Sequence, residues 1–293
     1  MAETMTCYRH PDRETGVSCS ECGRGICPDC MVFAPVGIRC PDHSGQAQGA
    51  ARVRREVKRA GYEGTGALVT KVLIGVNVGV FMVNLAQGAS LERNGGDLFV
   101  DGFLIGRAFD PAAGQLIGVA EGQWWRLITA TFLHGGLFHL LMNMLMLWWI
   151  GGRMEEALGR ARFIALYLVS GLAGSAGALA LTDAGTPTVG ASGAIFGILG
   201  AALVFERQRH YILGGSALSI VVLNLIITFT FREYISVGGH VGGLVGGALI
   251  GLALSRFGRS HAAYGRAGLL GSAGVAAVGV AALAVSYLTV QSY

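Results

Sequence analysis

The sequence predicts an all-α polytopic membrane protein of seven spans, preceded by a small metal-stabilised domain, and three observations predict it. The 293 residues are 52% hydrophobic and only 14% charged, whereas a soluble globular domain is about one quarter charged. From Ala67 onward, long apolar runs alternate with short polar breaks. All six cysteines fall between positions 7 and 40, within a polar stretch that ends near residue 63. Glycine is abundant, at 47 residues, and it lets membrane helices approach closely. The net charge of +4 is spread over short loops. It therefore reads as a topology signal, and no nucleic-acid partner is expected. No cleavable signal peptide is expected, because the first apolar run begins only near residue 67.

The head carries Cys7-x-x-His10, Cys19-x-x-Cys22, Cys27-x-x-Cys30 and Cys40-x-x-His43. A two-residue gap lets both side chains of a pair reach one metal from a tight turn. Eight ligands fill two tetrahedral zinc sites and leave no position for water, so the sites are structural and none serves catalysis. Zinc binding would supply most of the folding free energy of so small a module. A disulfide framework is the alternative, but it gives no role to His10 and His43. Asp12, Asp29 and Asp42 lie nearby and could replace a ligand. The basic stretch Arg52–Arg59 that follows reads as a topology signal in contact with anionic lipid.

Apolar windows fall at about 67–87, 137–152, 163–181, 192–205, 211–231, 240–255 and 267–290. With the head in the cytoplasm, the basic breaks at 52–59, 153–162, 207–209 and 256–266 all face inside and carry thirteen Lys or Arg. The opposite side carries only Arg93, Arg107, Arg126 and Arg232. The expectation is thus a multi-pass protein of the cell membrane, N-terminus inside and C-terminus outside. A cytoplasmic head also suits reduced thiols.

Two windows are short. Ser192–Phe205 reaches only about 21 Å as helix against a ~30 Å hydrocarbon core. Its inner end is set by Glu206, Arg207 and Arg209, so Ser192 is expected roughly 9 Å below the outer edge. The preceding Thr186–Ala191 would dip into the protein, where irregular backbone needs protein or a cavity around it. The window from His240 to Ser255 places His240 at a similar depth on the same side.

Ser192 opens its helix within Gly190-Ala191-Ser192-Gly193. Small neighbours leave room for a substrate backbone, and a helix N-terminus suits a developing oxyanion. A histidine inside an apolar span is a functional hypothesis by default. His240 is followed by Gly243, Gly247 and Gly251, and the serine helix carries Gly193 and Gly197 at the same spacing. Two such stripes allow the close backbone packing that a Ser–His pair needs. His139 and Asn143 lie four apart on one helical face and could donate to an oxyanion. Ordinary interhelical packing and hydrogen bonding is the bland alternative for each motif alone. The acids sit mainly in loops, among them Glu155 and Glu206. A dyad is therefore expected rather than a triad.

In order, spacing and side of the membrane, these marks resemble the rhomboid intramembrane proteases from about Thr70 to Arg256. They are Trp125-Arg126 closing the first long loop, His139-x-x-x-Asn143, Gly190-Ala191-Ser192-Gly193 and His240-x-x-Gly243-x-x-x-Gly247. The resemblance implies Ser192 as nucleophile and His240 as general base. His139, Asn143 and the Ser192 backbone N–H would form the oxyanion hole, and Arg126 would support the loop 88–125 with Trp124 and Trp125. It implies substrates that are single-span membrane proteins unwinding near their outer end in the lipid bilayer, and a six-helix bundle with one added C-terminal helix. The head resembles the B-box zinc fingers, which interleave their ligands. That implies Cys7, His10, Cys27 and Cys30 on one ion, and Cys19, Cys22, Cys40 and His43 on the other.

The expected organisation is a B-box-like domain over 1–48, a basic linker over 49–66, a rhomboid catalytic domain over 67–258 and an additional helix over 259–293. A non-catalytic rhomboid-like binder or escort of membrane proteins is the alternative, although such members typically lack the serine or histidine. A transporter would show repeat symmetry and a polar lumen, and neither is apparent. The head is either a stabilising domain or a module that binds a protein partner.

Overall fold

The computed structural model describes residues 5–33, 37–43, 66–92, 95–208, 210, 212–259 and 267–293. The basic stretch 52–59, most of the linker and Arg93 lie outside them. The chain divides into two compact units, Met1–Thr65 and Gly66–Tyr293.

The first unit holds two small antiparallel pairs. β1 (Met5–Thr6) pairs with β2 (Glu14–Thr15), and β3 (Val32–Phe33) pairs with β4 (Ile38–Arg39). Its buried centre is Ile26 ringed by cysteines, with Tyr8, Val17, Met31 and Ile38 packed around it. So little apolar area cannot hold a fold by itself.

The second unit is helical and polytopic. α1 spans Leu68–Ala86. The long loop after it contains α2 (Asp97–Gly102) and a hairpin of β5 (Ala108–Asp110) with β6 (Gln115–Ile117). α3 (Arg126–Thr129) and α4 (Leu137–Met146) follow. A wide turn at Leu147–Gly151 joins α4 to α5 (Gly152–Leu158). Then come α6 (Arg160–Leu181), α7 (Ser192–Arg207), α8 (Ala217–Thr230), α9 (Val237–Arg259) and α10 (Ala267–Val290).

Each apolar window contains helix, though not always with the expected bounds. Four helices are long and apolar enough to cross a membrane: Leu68–Ala86, Arg160–Leu181, Val237–Leu254 and Leu269–Val290. The segments Arg126–Phe132 and Leu137–Leu158, bent by 91°, make a fifth if they count as one span. α7, α9 and α6 pack on one another, and α10 lies against α9 and α6.

Three expectations need correction. The last short window is longer than its apolar run, because α9 begins at Val237. Ser236 caps it, its Oγ accepting from Gly239 N–H at 3.1 Å, so glycines that a hydropathy window rejects still belong to the first turn. His240 is therefore the fourth residue of its helix. Conversely, window 211–231 shrinks to α8, whose fourteen residues reach only about 21 Å. Its first part is instead a loop folded around the carboxylate of Glu206. That carboxylate accepts the N–H groups of Leu213, Gly215 and Ala217 at 2.9–3.0 Å. Glu155, likewise expected in a loop, is buried in α5 and caps α1. It accepts from Val69 N–H, Thr70 N–H and Thr70 Oγ1 at 2.8–2.9 Å. Each carboxylate takes N–H groups at a helix start, where negative charge is favoured, and Glu206 also takes two from the loop before α8.

Candidate active site and metal groups

The backbone before Ser192 dips between helices and is satisfied by protein. Leu104 and Thr188 exchange both hydrogen bonds, at 2.8 and 3.0 Å, and Gly190 N–H donates to Ala130 O at 2.9 Å. The chain then turns at Gly190, where φ is +127°, a conformation that side-chain-bearing residues rarely adopt. A Cβ at Gly190 would lie 2.8 Å from His139 Cε1 and Nε2 and 3.6 Å from Ser192 Oγ. The missing side chain leaves a gap bordered by both residues.

His139 Nδ1 accepts from Gly135 N–H at 3.2 Å. The neutral ring therefore carries its hydrogen on Nε2, the nitrogen beside Gly190. Asn143 is buried one turn on, with Nδ2 donating to His139 O at 2.9 Å.

α7 and α9 touch backbone to backbone. A Cβ on Gly243 would meet Gly193 O at 2.0 Å, and one on Gly247 would meet Gly197 O at 1.9 Å. One on Gly193 would meet Gly239 O at 3.3 Å. The residues next to Ser192 and His240 are thus in contact. Among the described residues, Ser192 and His240 are not joined by a hydrogen bond. The imidazole instead has Nδ1 at 2.7 Å from Thr228 Oγ1. Its face stacks on Phe196, with centroids 4.0 Å apart and an interplanar angle of 21°. Phe196 lies one turn below Ser192 on α7. Catalytic hydrogen bonds are often long before substrate binds.

The sequence reading missed Phe196, Thr228 and His134. His134 is buried with its ring edge-on to His139 at 5.1 Å. A histidine in an apolar stretch was a usable signal for it. Phe196 and Thr228 carried none, being ordinary residues of apolar helices. Arg126 lies within the loop architecture. It is buried, donates to Val100 O and Phe103 O at 2.8 Å and to Gln123 Oε1 at 2.7 Å, and sits over the Phe103 ring. Trp125 Nε1 donates to Asp101 O at 2.9 Å.

In the head, each ligand pair rides a tight turn. His10 N–H donates to Cys7 O, Cys30 N–H to Cys27 O and His43 N–H to Cys40 O, at 2.8–3.1 Å. The turn after Cys19 closes through Gly23 N–H at 2.8 Å. The pairs interleave into two groups, Cys7–His10–Cys27–Cys30 and Cys19–Cys22–Cys40–His43. In each, the ligand atoms all lie within 4.8 Å of one another. His10 Nδ1 is 3.3, 3.4 and 3.8 Å from the sulfurs of Cys27, Cys30 and Cys7. His43 Nδ1 is 3.2 Å from Cys40 Sγ, which is 3.9 Å from Cys22 Sγ. A tetrahedron with Zn–S of ~2.3 Å and Zn–N of ~2.05 Å has edges of about 3.5–3.8 Å, so either group could hold such an ion. Asp29 pairs with Arg13, and Asp42 accepts from Tyr8 and Arg9. Neither group includes Asp12, Asp29 or Asp42. Burial opposes ionisation of Cys7 and Cys19, but backbone N–H groups aimed at their sulfurs outweigh it and bring each thiol to about 6.

Residues 121–257 match the family model of the rhomboid domain. The chain is 36% identical over 202 residues to the rhomboid protease GluP of Bacillus subtilis, covering 68% of this chain and 37% of that protein. It is 38% identical over 144 residues to the putative rhomboid protease YdcA of the same organism, covering 48% of this chain and 72% of the relative. With RHOMBOID-like protein 5 of Arabidopsis thaliana it shares 40% identity over 146 residues, 46% of each chain. The chain thus spans little more than a third of GluP and less than half of the Arabidopsis protein.

Proposed function

The chain belongs to the rhomboid family, and on that premise we propose that it is an intramembrane serine endopeptidase acting on membrane proteins, most simply single-span ones. The carrying observation is the gap at Gly190, which lies between Ser192 Oγ and the protonated edge of His139. Ser192 Oγ attacks the scissile carbonyl carbon while its proton passes to His240 Nε2. The C–O bond forms, and the carbonyl oxygen takes up the charge. His139 Nε2–H, Asn143 and the Ser192 backbone N–H donate to that oxygen. The C–N bond then breaks as His240 returns the proton to the leaving amine, and water hydrolyses the acyl-enzyme by the same route. Trp125, Arg126, Gly190, Gly193, Gly243 and Gly247 support this constellation.

The same reading gives the head two structural zinc ions, held by the two interleaved B-box-like groups. With all four positions taken by protein, each ion would cross-link the small fold and supply no catalytic water. The head faces the cytoplasm as a platform for a protein partner, and the active site opens on the outer side of the cell membrane.

The test is labelling by a fluorophosphonate probe in detergent, alongside Ser192→Ala and His240→Ala. Labelling of the wild type that is lost in both variants supports the protease. A folded wild type that stays unlabelled favours a non-catalytic membrane-protein binder. Elemental analysis of the purified chain should find two zinc per chain. Protons compete with metal for thiolates, so loading should fall as the pH is lowered. Metal-free protein at neutral pH would sink the zinc reading.

A further inference from the structure

We propose that Thr228 is a positioning residue for His240, its hydroxyl holding the neutral imidazole in the one tautomer that can accept the Ser192 proton. The inference rests on the protease reading above. Thr228 is fully buried near the end of α8, with Oγ1 at 2.7 Å from His240 Nδ1.

The direction of that bond follows from proton counting. A threonine hydroxyl has one hydrogen, and Thr228 Oγ1 also lies 2.7 Å from the backbone carbonyl of Asn224. A carbonyl can only accept, so the hydroxyl hydrogen points at Asn224. The reverse arrangement would set a hydroxyl lone pair against the Asn224 carbonyl oxygen. Oγ1 therefore turns its lone pairs to His240, and Nδ1 carries the ring hydrogen. Nε2 is left bare.

Phe196 and Thr228 divide the work of holding the ring. Phe196 stacks on its face and fixes the plane. Thr228 fixes which edge points away from α8 and which nitrogen is basic. When His240 takes the serine proton on Nε2, its Nδ1–H bond to Oγ1 becomes charge-assisted. A neutral hydroxyl thereby does the orienting that a carboxylate does in three-membered sites, and it brings no charge of its own to the ring.

The experiment compares the full-length wild type with Thr228→Val, which removes the hydroxyl at similar volume, and Thr228→Ser, which restores it. Turnover of a fluorogenic transmembrane substrate is measured beside thermal unfolding. Thr228→Val should lower kcat by about 10- to 100-fold, the loss of one hydrogen bond to a charged group. KM should stay near wild type, Tm should fall by no more than the loss of that one buried tie allows, and Thr228→Ser should recover most of kcat and Tm. Nitrogen-15 spectra of histidine-labelled wild type should show His240 protonated at Nδ1 and bare at Nε2, a readout independent of any variant's folding. Wild-type kcat in Thr228→Val, a serine variant as slow as the valine one, or a wild-type His240 protonated at Nε2 would each overturn the inference. An unlabelled, inactive wild type overturns the protease reading instead, and the spectrum still decides the tautomer.

Discussion

His240 belongs to one of two helices that are fixed by opposite means and touches the other. α9, which carries it, is set against α7 backbone to backbone. A single methyl on Gly247 would fall 2.3 Å from Gly197 Cα. α8, which contacts the ring through Thr228, turns Leu223, Ile226 and Phe229 outward, each more than half exposed. It is tied by polar groups instead, at its start by Glu206, which takes the Ala217 N–H and two from the preceding loop, and near its end by Thr228. Lipid is as apolar as leucine, so burying apolar area gives little force between helices in a membrane. Close van der Waals contact and polar ties remain, and this unit assigns one to each helix. The pair that carries Ser192 and His240 is the one held by close backbone contact.

Three substitutions break or sharpen that contrast. The largest effect is expected from Gly247→Val, which must drive α9 off α7 because the clash is with backbone. A cost of about 3 kcal/mol or more should appear as loss of monodisperse protein in detergent and loss of fluorophosphonate labelling. Full labelling would mean that the two helices tolerate separation and that the contrast is wrong. Glu206→Gln comes next. It keeps the shape but removes the charge from the start of α8, and should cost about 1–3 kcal/mol. The unfolding temperature should fall while the folded fraction still labels at Ser192. No shift would show that α8 is held otherwise. Ile226→Ala on the outward face should change stability by less than about 0.5 kcal/mol. A large loss there would mean that protein rather than lipid covers that face.

Much of the site was legible because its chemistry is unusual for its surroundings. A histidine in an apolar run, glycines at four-residue spacing and Cys/His pairs at two-residue gaps all stand out against composition. The interleaving of the head's groups came only as a resemblance, and the folded head brings the same residues together. Glu155 and Glu206 were read as loop acids, since hydropathy counts a charge and cannot see the helix start it caps. The start of α9 was missed for the same reason, because Ser236, Gly238 and Gly239 lower the apolar score while forming its cap and first turn.

By itself the sequence determined the division into a Cys/His-rich head and a helical membrane unit, the approximate place of each apolar helix, and the presence of residue types able to do acyl transfer. Those are local properties, set by hydropathy, spacing and the donor atoms each side chain carries. Only the tertiary structure decided what surrounds them. It set His139 beside the gap at Gly190, stacked Phe196 on His240 and brought Thr228 to its Nδ1. Those contacts join separate elements of the fold, and a buried threonine or phenylalanine looks like any other until the backbone places an imidazole against it.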